Sequence, residues 1–517
     1  MDQLLALEIM LSGKSVLLTG PAGSGKTYVL NEFVRRAKKA GKRVAVTATT
    51  GLAATHLGGN TIHSWSGIGI HDELPPHFEE HLLKTRREII ERADVLIIDE
   101  ISMLHDFRLD MVDAVTRSVR KSSEPFGGLQ VILCGDFFQL PPVNRRDGRE
   151  GGFVVNSQAW AELNPIICYL DEQHRQDDDL FLGVLNALRA GDVRRHHAEA
   201  LMGRVNAEIG GDNITELHTV NIDVDRINSE KLQQLNGDTV SYAMFTTGKD
   251  NYVDTLKRSC LALENLELKK GAFVMCIKNS QDHSYANGSL GVVVDFEPVT
   301  DYPVVELRSG KVITMRPETW ELRDGEKKRA SINQIPLRLA WAITVHKSQG
   351  MTLDAAKIDL RRAFVEGMGY VALSRVRRLD SLSLFGINRM ALTVSEEALS
   401  IDAQLRQLSA EAAEKHAHLR EQAMVRQQAS ADGDDSTASS ADPVLFEALQ
   451  TWRAALAREL TKPAYIIAHN TTLEHIAARK PKNEQELLRV NGFGPKKFEA
   501  YGDDILRIVR EVAGIKS

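Results

Sequence analysis

Four short runs of consecutive apolar residues mark the first 140 positions of the chain. Val16-Leu17-Leu18 leads into a glycine-rich turn, and Val44-Ala45-Val46 follows a basic amphipathic stretch. Val95 to Ile98 ends at Asp99, and Val131-Ile132-Leu133 stops just before Gly135-Asp136. Unbroken apolar runs that close on polar or glycine residues predict strands buried on both faces of a parallel sheet. In such sheets ligands bind beyond the carboxyl ends of the strands, where these polar residues lie. From about Asp171 to Met390 helical patterns mix with β-rich sequence. Asn287-Gly288 and Ser309-Gly310 are turn signals among Val-rich runs, predicting a small barrel inserted in a larger α/β domain. Ser395 to Arg426 reads as helix, with Leu405, Leu408, Ala412 and Leu419 near one face. Gln427 to Ala441, rich in Ser, Ala, Asp and Gly, predicts a flexible linker with a reach on the order of 20 Å. The rest reads as a compact helical module.

Composition narrows this picture without changing it. A length of 517 residues implies several domains, and 43% hydrophobic with 26% charged residues is the balance of a folded chain. The net charge of −6 gives no global pull toward nucleic acid, although Lys357, Arg361, Arg362, Arg375, Arg377 and Arg378 make a local basic excess. Cys134, Cys168, Cys260 and Cys276 form no C-x-x-C pair, which argues against a zinc ribbon or a disulfide scaffold. No apolar run approaches the ~20 residues of a membrane span. The opening MDQLLALEIMLSGK lacks the zones of a signal peptide. By elimination a bacterial cytoplasm or nucleoid, with no membrane partner, is expected.

The strongest chemical signal is Gly20-Pro21-Ala22-Gly23-Ser24-Gly25-Lys26-Thr27, which fits G-x-x-x-x-G-K-[ST] directly after an apolar strand. Its glycines let backbone N–H groups turn inward around phosphate oxygens, and the helix that follows adds its positive dipole end. Lys26 is expected on the β- and γ-phosphates and Thr27 on Mg²⁺. Asp99-Glu100 closes the strand Val95 to Ile98, so Asp99 can hold Mg²⁺ through water and Glu100 can polarise an attacking water. No N-K-x-D guanine-reading element is present. ATP hydrolysis with Mg²⁺ is the expected chemistry.

Further stretches carry a resemblance. Thr47-Ala48-Thr49-Thr50-Gly51-Leu52-Ala53-Ala54 and Gly58-Gly59-Asn60-Thr61-Ile62-His63-Ser64-Trp65 come first, then Ile98 to Met103 and Gly135-Asp136-Phe137-Phe138-Gln139-Leu140-Pro141-Pro142-Val143. Glu172-Gln173-His174-Arg175-Gln176, Val345 to Asp354 and Tyr370-Val371-Ala372-Leu373-Ser374-Arg375 complete the series. In this order they resemble motifs Ia to VI of the Pif-type (petite integration frequency) DNA helicases, superfamily one, B branch, over about residues 1–390. Lys269 to Val293 is similar to the lead-in of that family's SH3-like 2B insertion. The resemblance implies two RecA-like P-loop lobes, 1A over 1–180 with a small 1B wedge near 58–75, and 2A over 181–395 with the insertion at about 270–333. It implies adenine reading by Gln3, γ-phosphate sensing by Gln139, and charge stabilisation by Arg175 and Arg375 from the cleft between lobes. It also implies 5′-to-3′ movement on single-stranded DNA at single/double-strand junctions. Thr49, Thr50, His63, Ser64, Thr344, His346 and Lys347 supply donors suited to phosphate oxygens, and Trp65 offers a face for base stacking.

Leu456 to Glu459, Ala464 to Ile467, Asn470 to Leu473 and Val490 to Lys497 resemble an HRDC domain, an all-α module, across 442–517. Thr471 with Glu474, and Asn483 with Glu486, have capping-box spacing. The glycine turn before Lys496 could meet a phosphate at a helix N-terminus. Twelve Lys/Arg against ten Asp/Glu leave the module's charge too weak to decide between DNA and a protein partner. The expectation is therefore a monomeric ATP-dependent DNA helicase with an accessory module, set against two rivals. One is a RecD-like translocase subunit. The other is a nucleotide-controlled DNA-binding module that does not unwind processively.

Overall fold

The computed structural model describes the chain except residues 57, 70, 145–147, 172–177, 211–212, 261, 281–283, 286, 325–326, 425–441, 460–469, 489, 491–492, 494 and 514–517. Two compact units result, Met1–Arg420 and Glu421–Ser517.

The first unit is built on the predicted parallel sheet. Its strands are β1 (Val16–Thr19), β2 (Val44–Ala48), β3 (Asn60–Thr61), β4 (Val95–Asp99), β5 (Gln130–Gly135) and β6 (Ile166–Tyr169), in the order β3-β2-β4-β5-β1-β6. Side chains of β1, β4 and β5 are buried on both faces, which is why these runs show no alternation. Residues 58–75, expected as a separate wedge, instead extend this lobe. Asn60 and Thr61 pair with β2, and Ile62, Trp65 and Ile68 are buried in the main core.

A second parallel sheet joins β7 (Thr215–His218), β8 (Ala342–Thr344), β9 (Ala356–Leu360) and β10 (Leu382–Ile387) in the order β8-β7-β9-β10. Between β7 and β8 the chain makes an antiparallel region wider than the expected 270–333. Its five-stranded sheet runs 312–314, 303–307, 290–296, 273–276, 337–339. The strand Phe245–Gly248 pairs with Lys327–Gln334, and Val240–Ala243 with Asn265–Leu268, so the region begins near 240. Those pairings span far more sequence than a hairpin turn signal can report.

The helix Glu396–Lys415 returns to the first sheet and lies along its edge strand. Ser409 accepts a hydrogen bond from the Tyr169 N–H at 3.0 Å, so this strap covers an edge that would otherwise invite pairing.

In the second unit, Leu445, Leu449, Leu473, Ile476, Leu487, Phe493, Ile505 and Val509 form an apolar core among helices Pro443–Glu459, Asn470–Arg479, Glu484–Leu488 and Pro495–Ala513. Asn483 caps its helix as expected, accepting from Glu486 N–H at 3.0 Å. Thr471, by contrast, falls inside a helix that already starts at Asn470.

One helix of the first unit has no spare room. A Cβ on Gly369, in Met368–Leu373, would sit 1.9 Å from the Ala391 carbonyl oxygen. Gly369→Ala is expected to cost about 1–3 kcal/mol of stability by forcing the 390–392 turn away. A thermal or urea melt checks this, and an unchanged midpoint would show that the turn yields freely.

Candidate functional site

The phosphate-binding loop follows β1 at the sheet's carboxyl edge. Gly20, Gly23 and Gly25 have φ of 143°, 86° and 86°, values that an L side chain resists. Gly25 stands at the N-cap of the helix Lys26–Lys39 with no side chain capping it, leaving the first amides to face a ligand. Gly25 also makes room for Gln3, since a Cβ there would lie 2.2 Å from Gln3 Nε2, which donates to the Ser24 carbonyl at 3.1 Å. The predicted adenine reader thus touches the loop itself. Lys26 Nζ rests on the Gly20 and Pro21 carbonyls at 2.8 and 3.0 Å, and burial lowers its pKa. The buried Ser24 hydroxyl has no hydrogen-bond partner, which leaves a polar atom available inside the loop.

Asp99 and Glu100 stand at the end of β4. Glu100 adopts the left-handed region, φ 53° and ψ 45°, which turns its side chain out of the strand direction. Burial raises both carboxyls, and the charge of Asp99 adds to the effect on Glu100, whose pKa is pushed up to about 7. Hydrogen bonds from Cys134 and the Glu100 N–H, together with the charge of Lys26, work against the rise at Asp99.

The second lobe reaches into the same place. Gln349 Nε2 donates to Glu100 Oε2 at 3.0 Å and to Gln139 Oε1 at 3.2 Å. A cavity of about 310 Å³ is lined by Ala22, Gly23, Gly25, Lys26, Thr27, Glu100 and Gln139 from the first lobe. Gly350, Thr352, Arg375 and Arg377 line it from the second. Arg375 is 1% exposed, and its guanidinium donates to the carbonyls of Val371, Ser348 and Met351 and to the Ser374 hydroxyl. It therefore forms a fixed wall of the cavity, and its charge is felt at Glu100. Arg175 lies outside the described residues.

The phosphate-contact candidates divide. Thr49 Oγ donates to the Glu100 main-chain carbonyl at 2.9 Å, which ties its loop to the backbone that carries the carboxylate pair. Thr50 accepts from the Ala53 N–H, and His63 Nε2 meets Arg108 Nη1 at 2.9 Å beside the Arg108–Asp72 ion pair. Ser64 is half-buried with its N–H on Thr61. Thr344 is buried and accepts from the Lys347 N–H, and burial lowers the pKa of both His346 and Lys347. Trp65 corrects its expectation: it is 7% exposed and packed in the lobe core, with little surface left for a stacked base. Lys496 begins the helix Pro495–Ala513, but its side chain lies outside the described residues.

A cleft of about 310 Å³ brings Gly51, Ala54, Gly58 to Thr61 and Ser64 against Lys278, Asn279 and 319–322 of the β-rich region. Here a half-buried aromatic does line an opening: Trp320, with Lys278 Nζ 5.2 Å from its ring centre. Sequence reasoning missed Trp320, Lys278 and Gln349. Only Gln349 had a local signal, its place within Val345 to Asp354.

Thr27 and Asp99 are oxygen donors of the kind Mg²⁺ takes, and a bound nucleotide would supply further oxygens. Among the described residues no group of three or more His, Cys, Asp or Glu could hold a metal alone. No described helix is long and apolar enough to cross a membrane.

Comparison with known proteins gives a consistent result. The family model described as PIF1-like helicase matches residues 1–197, that of the DNA helicase Pif1 2B domain matches 251–296, and that of the HRDC domain matches 442–509. The chain is 40% identical over 472 residues to the ATP-dependent DNA helicase Pif1 of Psychrobacter sp., covering 80% of this chain and 72% of that protein. With the human ATP-dependent DNA helicase PIF1 it shares 36% identity, covering 78% of this chain but 63% of that one. The chain thus spans less than two thirds of this longer relative. The crystal structure of Pif1 helicase from Candida albicans superposes with a TM-score of 0.69 at 34% identity, covering 78% and 98% of the two chains. That of Pif1 helicase from Bacteroides in complex with ADP-AlF3 and ssDNA gives 0.62 at 33% identity, covering 79% and 97%.

The Glu100 carboxyl yields a stability test. Its folded pKa of about 7 lies above the ordinary 4.5, so the folded state binds its proton more tightly than the unfolded chain does. The stability it contributes is present below pH 4.5 and lost as pH rises through 7. Glu100→Gln should therefore melt above the wild type at pH 8, by up to about 3 kcal/mol, with a much smaller gap at pH 5. An equal gap at both values would mean that burial does not govern this carboxyl.

Proposed function

The chain belongs to the PIF1-like helicase family, and on that premise we propose that it is an ATP-dependent DNA helicase that moves 5′ to 3′ along single-stranded DNA and opens the duplex ahead. The observation that supports this best is the cavity shared by the phosphate-binding loop, Glu100 and Gln139 of one lobe and Thr352, Arg375 and Arg377 of the other, with Gln349 bonded across to Glu100 and Gln139. A nucleotide bound there touches both lobes, so its arrival and hydrolysis change how they pack.

In this reading the loop amides and Lys26 hold the phosphates, and Gln3 meets the base. Thr27 and Asp99 would hold Mg²⁺, which supplies charge neutralisation to the phosphates. Glu100 takes the proton of the attacking water. Its pKa, raised to about 7, makes it a stronger base than a solvated carboxylate and leaves a part of it ionised near neutrality. Gln349 bonds both Gln139 and Glu100, so loss of the γ-phosphate is felt across the interface. Arg375 and Arg377 stabilise charge on the transferring group, an effect of order 10³–10⁵ for arginine fingers generally; Arg175 joins them by resemblance.

The DNA strand is proposed to run through the cleft beside Gly58 to Thr61, with Trp320 as the stacking platform and Ser64 and Lys278 near its backbone. Thr49, bonded to Glu100, links that track to the ATP site. The HRDC-like unit is proposed as an auxiliary DNA contact, through the helix end at Lys496 and the neighbouring Lys497.

ATP hydrolysis by the full chain is expected to rise with added single-stranded DNA. Lys26→Ala should cut turnover by about 10²–10³-fold while single-strand affinity stays within about threefold. A steady-state ATPase assay beside a fluorescence-anisotropy titration checks both. Turnover indifferent to DNA, or a Lys26→Ala variant of near wild-type rate, would overturn the assignment.

A further inference from the structure

Behind the phosphate-binding loop lies a second polar cluster that the nucleotide chemistry described above leaves unused. Arg189, last residue of the helix Asp179–Arg189, is 5% exposed. Its Nη1 donates to Asp136 Oδ1 at 2.6 Å, and its Nη2 donates to Asp402 Oδ1 at 3.0 Å and to the Tyr169 hydroxyl at 2.9 Å. Its guanidinium lies 4.3 Å over the Phe138 ring. Asp136 is wholly buried at the end of β5. The Tyr370 hydroxyl lies 3.4 Å from Asp136 Oδ2 and accepts the Ala22 N–H of the phosphate-binding loop at 2.9 Å. On the far side Arg406 Nε donates to Asp402 Oδ2 at 2.7 Å, and Arg406 Nη2 donates to the Tyr169 hydroxyl at 2.6 Å.

We infer that Asp402, on the strap helix Glu396–Lys415, is a positioning residue for ATP turnover, holding Arg189 so that Asp136 and Tyr370 fix the Ala22 amide of the phosphate-binding loop. The inference rests on the ATPase reading above. Two cations and two anions balance here, the Arg189–Asp136 pair buried and Arg406 at the solvent edge, and Arg189 joins three separate elements through Asp136, Tyr169 and Asp402. Such a network has few alternative arrangements, so a shift at one end is passed on rather than absorbed. Its inner end is placed for effect. Asp136 stands three residues before Gln139, and Tyr370 shares a short helix with the turn that carries Arg375. Gln139 and Arg375, two residues that line the nucleotide cavity, thus stand within a few positions of the network. The outer end is the last long helix before residue 421, where the second unit begins in sequence.

The test uses the full chain with a saturating oligothymidine strand and two near-isosteric changes, Asp402→Asn and Tyr370→Phe. Each should lower kcat about 5–10-fold, with KM for ATP and the Kd of a fluorescent ADP held within about twofold. The double variant should be no slower than the slower single variant, because both cut one chain of contacts. Tyr370→Phe removes a single hydroxyl, so it carries the test if Asp402→Asn folds poorly. The inference is overturned if kcat is retained, if the losses multiply, or if only the melting temperature moves. A wild-type chain that hydrolyses no ATP would instead refute the ATPase reading on which it rests.

Discussion

The constraint on which the rest depends is a pair of adjacent carboxyls, Asp99 and Glu100, buried where two lobes meet. Desolvation raises both carboxyls, and the charge of Asp99 raises Glu100 further. The surroundings answer this cost piece by piece. Lys26 brings a buried cation, Cys134 and a backbone amide donate to Asp99, and Gln349 reaches across from the second lobe to Glu100. A side chain that must be satisfied from the opposite lobe gives the two lobes a reason to close, and gives closure a chemical consequence.

From that pair two lines of contact lead outward. One runs from the Glu100 main-chain carbonyl through Thr49 to the loop that flanks the cleft with Trp320. The other runs behind the phosphate-binding loop, from Ala22 through Tyr370, Asp136 and Arg189 to the strap. Helix and strand burial hold these lines in place, and the apolar strands that frame them carry no chemistry of their own. Scaffold and chemistry are thus divided along each strand, with apolar residues within it and reactive ones at its carboxyl end.

The parallel sheet of the first lobe was readable because its strands are contiguous apolar runs, and the loop at Gly20 to Thr27 because its chemistry is packed into eight consecutive residues. Partners that meet only by folding were not readable. Gln349 lies 249 positions from Glu100, and Asp402 lies 213 from Arg189, with no local pattern linking either pair. Trp65 and Trp320 show the same limit from another side. Each is an aromatic in a polar neighbourhood, and only packing decides that Trp65 is buried while Trp320 stays half-buried beside the cleft. The β-rich region was read as too short because Phe245–Gly248 takes its partner from beyond residue 326.

The central claim is that ATP spent in this cavity drives strand separation with one polarity. Two partial duplexes, one with a 5′ single-stranded tail and one with a 3′ tail, test it directly when mixed with the protein, ATP and Mg²⁺. Opening of the 5′-tailed substrate alone is the result predicted here. Opening of the 3′-tailed substrate alone, or of neither while DNA still stimulates hydrolysis, would contradict it.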